Sequence, residues 1–271
     1  MIRPLIMLLS LAALSACQRE SSSPPASAPT ATPAPAVPVA VEAAPLEDVI
    51  ERDPRYVIGI SYPPAASKYP GLAAELRRYA DAARADLMQA VQEMGERKPP
   101  APYDLSLSFN TVVDTPKIVA VAADGSSYTG GAHGNPLVAR FVWLPEQDKL
   151  LRATDLVPEP GSWRDISGYV REQLHAALSQ RVDADELPPA ERADLIRTAG
   201  KMIDEGSQPE ADAFDQFEPV LGPDGRIQAL RFVFPPYQVG PYADGTQTVE
   251  VPASVLLRHI APAYRGLFAN T

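Results

Sequence analysis

The sequence predicts an α+β fold: a mainly antiparallel sheet packed with amphipathic helices. Three observations predict it. Tyr103-Asp104-Leu105-Ser106-Leu107-Ser108-Phe109 alternates strictly, apolar at odd positions and polar at even ones, which is the period of a half-buried strand. Leu72, Leu76, Tyr79, Ala83, Leu87, Ala90 and Met94 form one stripe at spacings of three and four, which is the period of a helix. Gly222-Pro223-Asp224-Gly225 joins two apolar runs and signals a hairpin. Helices and strands come in blocks rather than in strict alternation, and that order separates α+β from α/β.

The elements follow in chain order. Tyr56 to Tyr62 reads as a strand stopped by Pro63-Pro64. A helix runs from about Gly71 to Met94 and ends at Gly95 and Pro99-Pro100. The alternating strand from Tyr103 continues to Val113, and Lys117–Ala122 and Pro136–Leu144 are the next strands. Asp148-Lys149 suggests a turn. Trp163, Ile166, Val170, Leu174 and Leu178 mark a second helix, with Ser162 as its expected N-cap. Leu195, Ile196, Ala199, Met202 and Ile203 mark a third, opened by Pro188-Pro189. Strands Phe214–Leu221, Ile227–Phe234 and Gln247–Val251 follow, and a terminal helix runs from about Ala253 to Ile260.

The N-terminus reads as a targeting segment. Arg3 gives a short positive region, and the apolar run Leu5 to Leu14 is too short to span a bilayer. Leu14-Ser15-Ala16-Cys17 is how a bacterial lipoprotein signal ends. Residues 1–16 are therefore expected to be a signal peptide and Cys17 the lipidated residue, anchoring the chain to a membrane of the cell envelope. Cys17 is the single cysteine, so no internal disulfide forms. Gln18 after it, rather than Asp, favours the periplasmic side of the outer membrane in a Gram-negative cell. Residues 17–45 are rich in Pro, Ala and Ser and read as a spacer reaching roughly 80 Å if extended. Residues 46–271 are left as the α+β region.

The net charge is −10. That argues against nucleic acid and anionic lipid surfaces and permits a basic protein partner. No metal or cofactor is expected. His133, His175 and His259 are far apart in sequence, with no His-Glu-x-x-His and no thiol left after lipidation. His175 reads as a surface or packing residue, and His259 as a cation near a helix end. Trp143 alternates with Phe141 and reads as core.

Two glycine-rich segments between strands carry the site prediction. In the first, Tyr128, Gly130, Gly131, His133 and Gly134 form a tight loop that presents an imidazole. In the second, Gly240-Pro241 and Asp244-Gly245 force turns flanked by Tyr237 and Tyr242. The two segments are expected to lie close together, between strands of one sheet. His133 has three readings: organising its loop, binding, or catalysis. A triad with Asp124 and Ser126 or Ser127 is disfavoured, because near neighbours in a loop rarely assemble one. No Gly-x-Ser-x-Gly elbow is present.

Tyr-Thr-Gly-Gly-Ala-His-Gly at 128–134, Asp155-Leu156, and Phe232 through Tyr242 resemble, in this order, an extracytoplasmic domain of unknown function. That domain is shared by the lysozyme-sensing anti-sigma factor RsiV and the peptidoglycan deacetylase PdaC, and the likeness covers roughly residues 55–260. The resemblance implies the fold and an envelope-facing binding role. A lysozyme-like muramidase or a cell-wall glycan is the partner it suggests. It does not carry over anti-sigma or deacetylase chemistry, because the segments for those are missing from this sequence. The leading expectation is a non-catalytic binding lipoprotein. The alternative is an enzyme or enzyme accessory on cell-wall glycan, with His133 as acid–base.

Overall fold

The computed structural model describes residues 45–184 and 187–270. The expected signal peptide, Cys17 and all of the expected spacer but Pro45 lie outside the described residues. The rest builds two sheets. The first has six strands in sequence order: β1 (Val49–Asp53), β2 (Tyr56–Ser61), β3 (Tyr103–Asp114), β4 (Val119–Tyr128), β5 (Asn135–Leu144) and β6 (Lys149–Leu150). β2 and β3 pair in parallel, because helix α1 (Pro70–Met94) crosses over between them; the other neighbours in this sheet pair antiparallel. Four further helices follow: α2 (Ala153–Leu156), α3 (Trp163–Ala184), α4 (Pro189–Gly206) and α5 (Ala253–Leu256). The second sheet is antiparallel, in the order β7 (Phe217–Leu221), β8 (Ile227–Phe234), β9 (Gln247–Pro252).

The period of each strand decides how the layers stack. In β3, Leu105, Leu107 and Phe109 point into one core with Leu72, Leu76 and Leu87 of α1. β4 serves two cores. Val119, Val121 and Ala123 face α1, while Ala120, one residue out of phase, faces the core built on α3 and the second sheet. Val142 and Leu144 of β5 join that second core, and Phe141 and Trp143 join the first. The middle strands are therefore buried on both faces, and the molecule is layered around them. Trp163 of α3 stacks on Phe214 at 5.3 Å and anchors the second core.

The seam between the sheets carries a chain of alternating charge. Asp124 on β4 meets Arg140 on β5 at 3.0 Å, and Arg140 meets Glu218 on β7 at 3.1 Å. Glu218 meets Arg231 on β8 at 2.8 Å, and Arg231 meets Glu250 on β9 at 2.6 Å. The side chains of Arg140 and Glu218 are each only 9% exposed, so their mutual pairing is what makes their burial tolerable.

Several expectations are corrected. The motif loops belong to two sheets, not one. Strand β1 was not foreseen, because Val-Ile-Glu-Arg-Asp is short and half charged; it pairs with β2 through a turn in which Asp53 accepts the Arg55 N–H at 2.9 Å. β4 runs on to Tyr128 through Asp124-Gly125-Ser126-Ser127, held there by partners on both sides. β7 starts at Phe217, since Ala211–Phe214 is a 3-10 turn. Ser162 lies in a 3-10 turn that runs straight into α3, so the helical path begins before it. The terminal helix stops at Leu256.

Candidate functional site

The first motif loop joins β4 to β5. Gly130 and Gly131 take φ of 102° and 105°, a region that residues with a Cβ rarely adopt. Tyr128 closes the loop by donating its hydroxyl to the Gly131 carbonyl at 3.2 Å. His133 Nδ1 lies 3.1 Å from the Gly134 carbonyl. A carbonyl only accepts, so Nδ1 carries the proton, and in the neutral ring Nε2 is free to accept.

The second loop joins β8 to β9 and is held more firmly. Tyr237 has φ of 74°, a genuine outlier for a bulky side chain. Its N–H donates to the Gly240 carbonyl at 3.0 Å, which pins the unusual conformation. A Cβ at Gly240 would lie 2.4 Å from Gln247 Nε2, so the Gln247 side chain packs against the bare glycine. Gln238 reaches the other way and donates to the carbonyls of Gly206 and Ala213, both at 2.9 Å. Gly206, the last residue of α4, has no room for a side chain, since a Cβ would lie 1.7 Å from the Gln238 carbonyl oxygen. Tyr242 begins a 3-10 turn, Tyr242–Asp244, and Arg181 of α3 holds Asp244 at 2.9 Å.

The two loops meet. The Tyr237 hydroxyl is 2.8 Å from His133 Nε2, and the Tyr242 ring stacks on the imidazole at 4.0 Å and 13°. Tyr237 and Tyr242 lie 5.7 Å apart, so the three rings form one cluster. His133 is exposed, Tyr242 is half-buried, and Tyr237 is 52% exposed. The arrangement offers an aromatic surface with a polar edge, held in place from both sides. Tyr128, Gly130, Gly131, Gly134 and Gly240 shape the loops; His133, Tyr237 and Tyr242 face outward together.

The loop residues form no catalytic triad. Both nitrogens of His133 are engaged, by Gly134 and Tyr237, and Asp124 is bound by Arg140. Ser126 packs beside Gly134, where a Cβ would sit 3.4 Å from it. His175 lies 3.2 Å from Asp204 between α3 and α4. His259 sits beyond α5, 3.3 Å from Asp165; burial and the neighbouring Arg258 hold its pKa low against the pull of Asp165. Asp155 pairs with Lys149 at 2.7 Å and accepts the Arg152 N–H at 3.0 Å. Burial pushes the Asp155 carboxyl up, but Lys149 and the Arg152 N–H outweigh it and hold the pKa low. Among the described residues no group of three or more His, Cys, Asp or Glu is placed to hold a metal ion. Among the same residues no helix is long and apolar enough to cross a membrane.

Sequence reasoning missed Gln238, Gly206 and Arg181. Nothing in the sequence shows which carbonyls Gln238 would reach.

Comparison with known proteins places the two loops in different matched segments. A family described as Deacetylase PdaC matches residues 50–136, and a family described as a protein of unknown function, DUF3298, matches residues 164–254. His133 lies in the first and Tyr237 and Tyr242 in the second, so the ring cluster forms where the two segments meet. A DUF3298 family crystal structure from Pseudomonas aeruginosa PAO1 is similar, with 17% identity, 83% of this chain and 96% of that chain covered, and a TM-score of 0.52. A DUF3298 family member from Bacteroides fragilis NCTC 9343 gives 16% identity, 76% and 73% coverage, and a TM-score of 0.45. No curated protein matches the chain. The chain is thus similar to the Deacetylase PdaC family over one segment and to DUF3298, a family of unknown function, over another.

Proposed function

We propose that this chain is a cell-envelope lipoprotein, anchored through Cys17, whose His133–Tyr237–Tyr242 surface binds a protein or a cell-wall component. A lysozyme-like muramidase is the leading ligand, and cell-wall glycan is the other. The observation that carries the reading is Tyr237, which is exposed and held at φ of 74° against His133. Such a backbone costs on the order of 1–3 kcal/mol, and an exposed ring returns little of that to stability. Residues kept in this state cluster where a surface must be pre-shaped for a ligand. Pre-shaped Tyr side chains bind well, because they offer a large contact area and lose little entropy. The net charge of −10 would steer a basic partner toward the domain.

Binding isotherms of the full chain against lysozyme and against solubilised peptidoglycan fragments test the proposal. Tyr237→Ala is expected to weaken binding at least tenfold, about 1.4 kcal/mol, without unfolding the protein. Unchanged affinity in this variant, or no binding to either ligand, overturns it. The exposed His133–Tyr237 pair at 2.8 Å also favours a second reading, acid–base chemistry on glycan. Turnover of the fragments that His133→Ala abolishes would establish that reading instead.

A further inference from the structure

Strand β1 lies at one edge of the six-stranded sheet, and no described strand pairs with its outer side. The two-residue turn Pro54-Arg55 closes the β1–β2 hairpin at Asp53 and Tyr56. The antiparallel alternation then turns the backbone N–H and C=O groups of Val49, Glu51 and Asp53 toward β2, and those of Ile50 and Arg52 away from the sheet. Among the described residues no backbone group meets these outward ones. The side chains alternate as well. Glu51 faces α1, where Arg84 holds it at 2.9 Å. Ile50 and Arg52 stand on the opposite face of the sheet.

Open edges are normally blunted, because they template pairing with another chain. Here the middle of the edge carries Ile50, which is 74% exposed. Two residues before it, Asp48 is exposed and spends one carboxylate oxygen on the Tyr62 N–H at 2.9 Å. Two residues after it, Arg52 is exposed, and its guanidinium has no ion pair or hydrogen bond among the described residues. The order acid, Ile, base is its own complement when the strand is reversed. Antiparallel pairing of two β1 strands about Ile50 sets Ile50 opposite the partner's Ile50 and Asp48 opposite the partner's Arg52, twice over. It also makes the central pair a hydrogen-bonded one, as the outward backbone groups of Ile50 require. A register centred on Glu51 would oppose two carboxylates, and one centred on Arg52 would oppose two guanidiniums; like charges directly opposite are unfavourable.

We propose that β1 is a homodimer edge. Two copies pair antiparallel about Ile50, and their six-stranded sheets become one sheet across a two-fold axis. The occupant is a second copy because the edge calls for a strand with acid and base in the reverse sense around an apolar residue, and β1 itself supplies one. Five paired residues bury less than a standard interface, so the dimer is a weak one. The interface uses no residue of the aromatic cluster.

Sedimentation equilibrium of the full chain tests this. A monomer–dimer equilibrium with a Kd below about 500 μM is expected. Ile50→Lys should weaken it at least about tenfold. Arg52→Asp and Asp48→Arg each set like charges opposite each other, so each variant alone should lose the dimer. An equal mixture of the two restores both ion pairs and should recover it. That recovery separates a lost interface from a misfolded variant, since a misfolded chain cannot give it. A chain that stays monomeric up to about 1 mM overturns the proposal, as it would if its own preceding segment covered the edge. Association that survives Ile50→Lys, or that both charge reversals leave unchanged, overturns it as well, and so does a mixture of the two folded reversal variants that fails to associate.

Discussion

Removing the His133 ring tests whether the two motif loops hold each other. The imidazole bonds to the Gly134 carbonyl at 3.1 Å and to the Tyr237 hydroxyl at 2.8 Å, and it stacks on Tyr242 at 4.0 Å. Each hydrogen bond is exposed, so its net worth lies near the low end of the usual range, about 0.5 kcal/mol. The stack adds about 0.5–1.5 kcal/mol. His133→Ala should therefore cost about 1.5–2.5 kcal/mol, against about 0.5 kcal/mol for an ordinary exposed site. For a chain of this size that is a fall in Tm of roughly 3–10 °C. Tyr237→Phe removes only the hydroxyl and should cost about 0.5 kcal/mol. Denaturant melts of both variants and of the double variant complete the cycle. The expected coupling between the two sites is about 0.5 kcal/mol or more. A His133→Ala cost below about 0.5 kcal/mol, together with additive single effects, would show that the loops merely lie side by side.

Other perturbations probe the supports of the site. Gly206→Ala puts a Cβ where the Gln238 carbonyl oxygen lies, so it should cost at least about 1–3 kcal/mol in melts and loosen hydrogen exchange at 237–242. Glu218→Gln leaves Arg140 and Arg231 facing each other across the seam, and a loss of about 2–4 kcal/mol is expected in urea melts. Asp155 has a lowered folded pKa, so its contribution is present above the ordinary carboxylate range and lost as pH falls through its folded value. Asp155→Asn should therefore cost stability at pH 7 and cost little at pH 2, as melts at the two values would show. His259 also has a lowered folded pKa. Below about pH 6.5 the unfolded chain takes up a proton that the fold resists, so stability falls on acidification. His259→Gln should flatten that part of the profile between pH 7 and 5.

The legible parts of the fold are those with a long period. The stripe of α1 and the alternation of β3 each follow from one repeated spacing, and both elements form where the spacing puts them. The lost parts depend on partners distant in sequence. Asp124-Gly125-Ser126-Ser127 is a poor strand by composition, and it is extended because β3 and β5 flank it; at Gly125 a Cβ would lie 2.0 Å from the Ser106 carbonyl oxygen. The division into two sheets is equally non-local, since no spacing tells whether β7 pairs with β5 or stands across a seam from it. At the site, the expected closeness of the two loops holds, but not through the single sheet on which it was argued: they belong to two sheets and meet at His133 and Tyr237. The positive φ of Tyr237 was not legible, because that conformation suits glycine, and here Gly240 and Gln238 impose it on an aromatic residue.

Hydrogen exchange of the full chain, with and without saturating lysozyme or peptidoglycan fragments, tests the central claim most directly. The account predicts that one of these ligands slows exchange at 130–134 and at 237–242 together, and that Tyr237→Ala removes both effects. Protection confined to one loop, or centred on a different surface and kept in Tyr237→Ala, would contradict it.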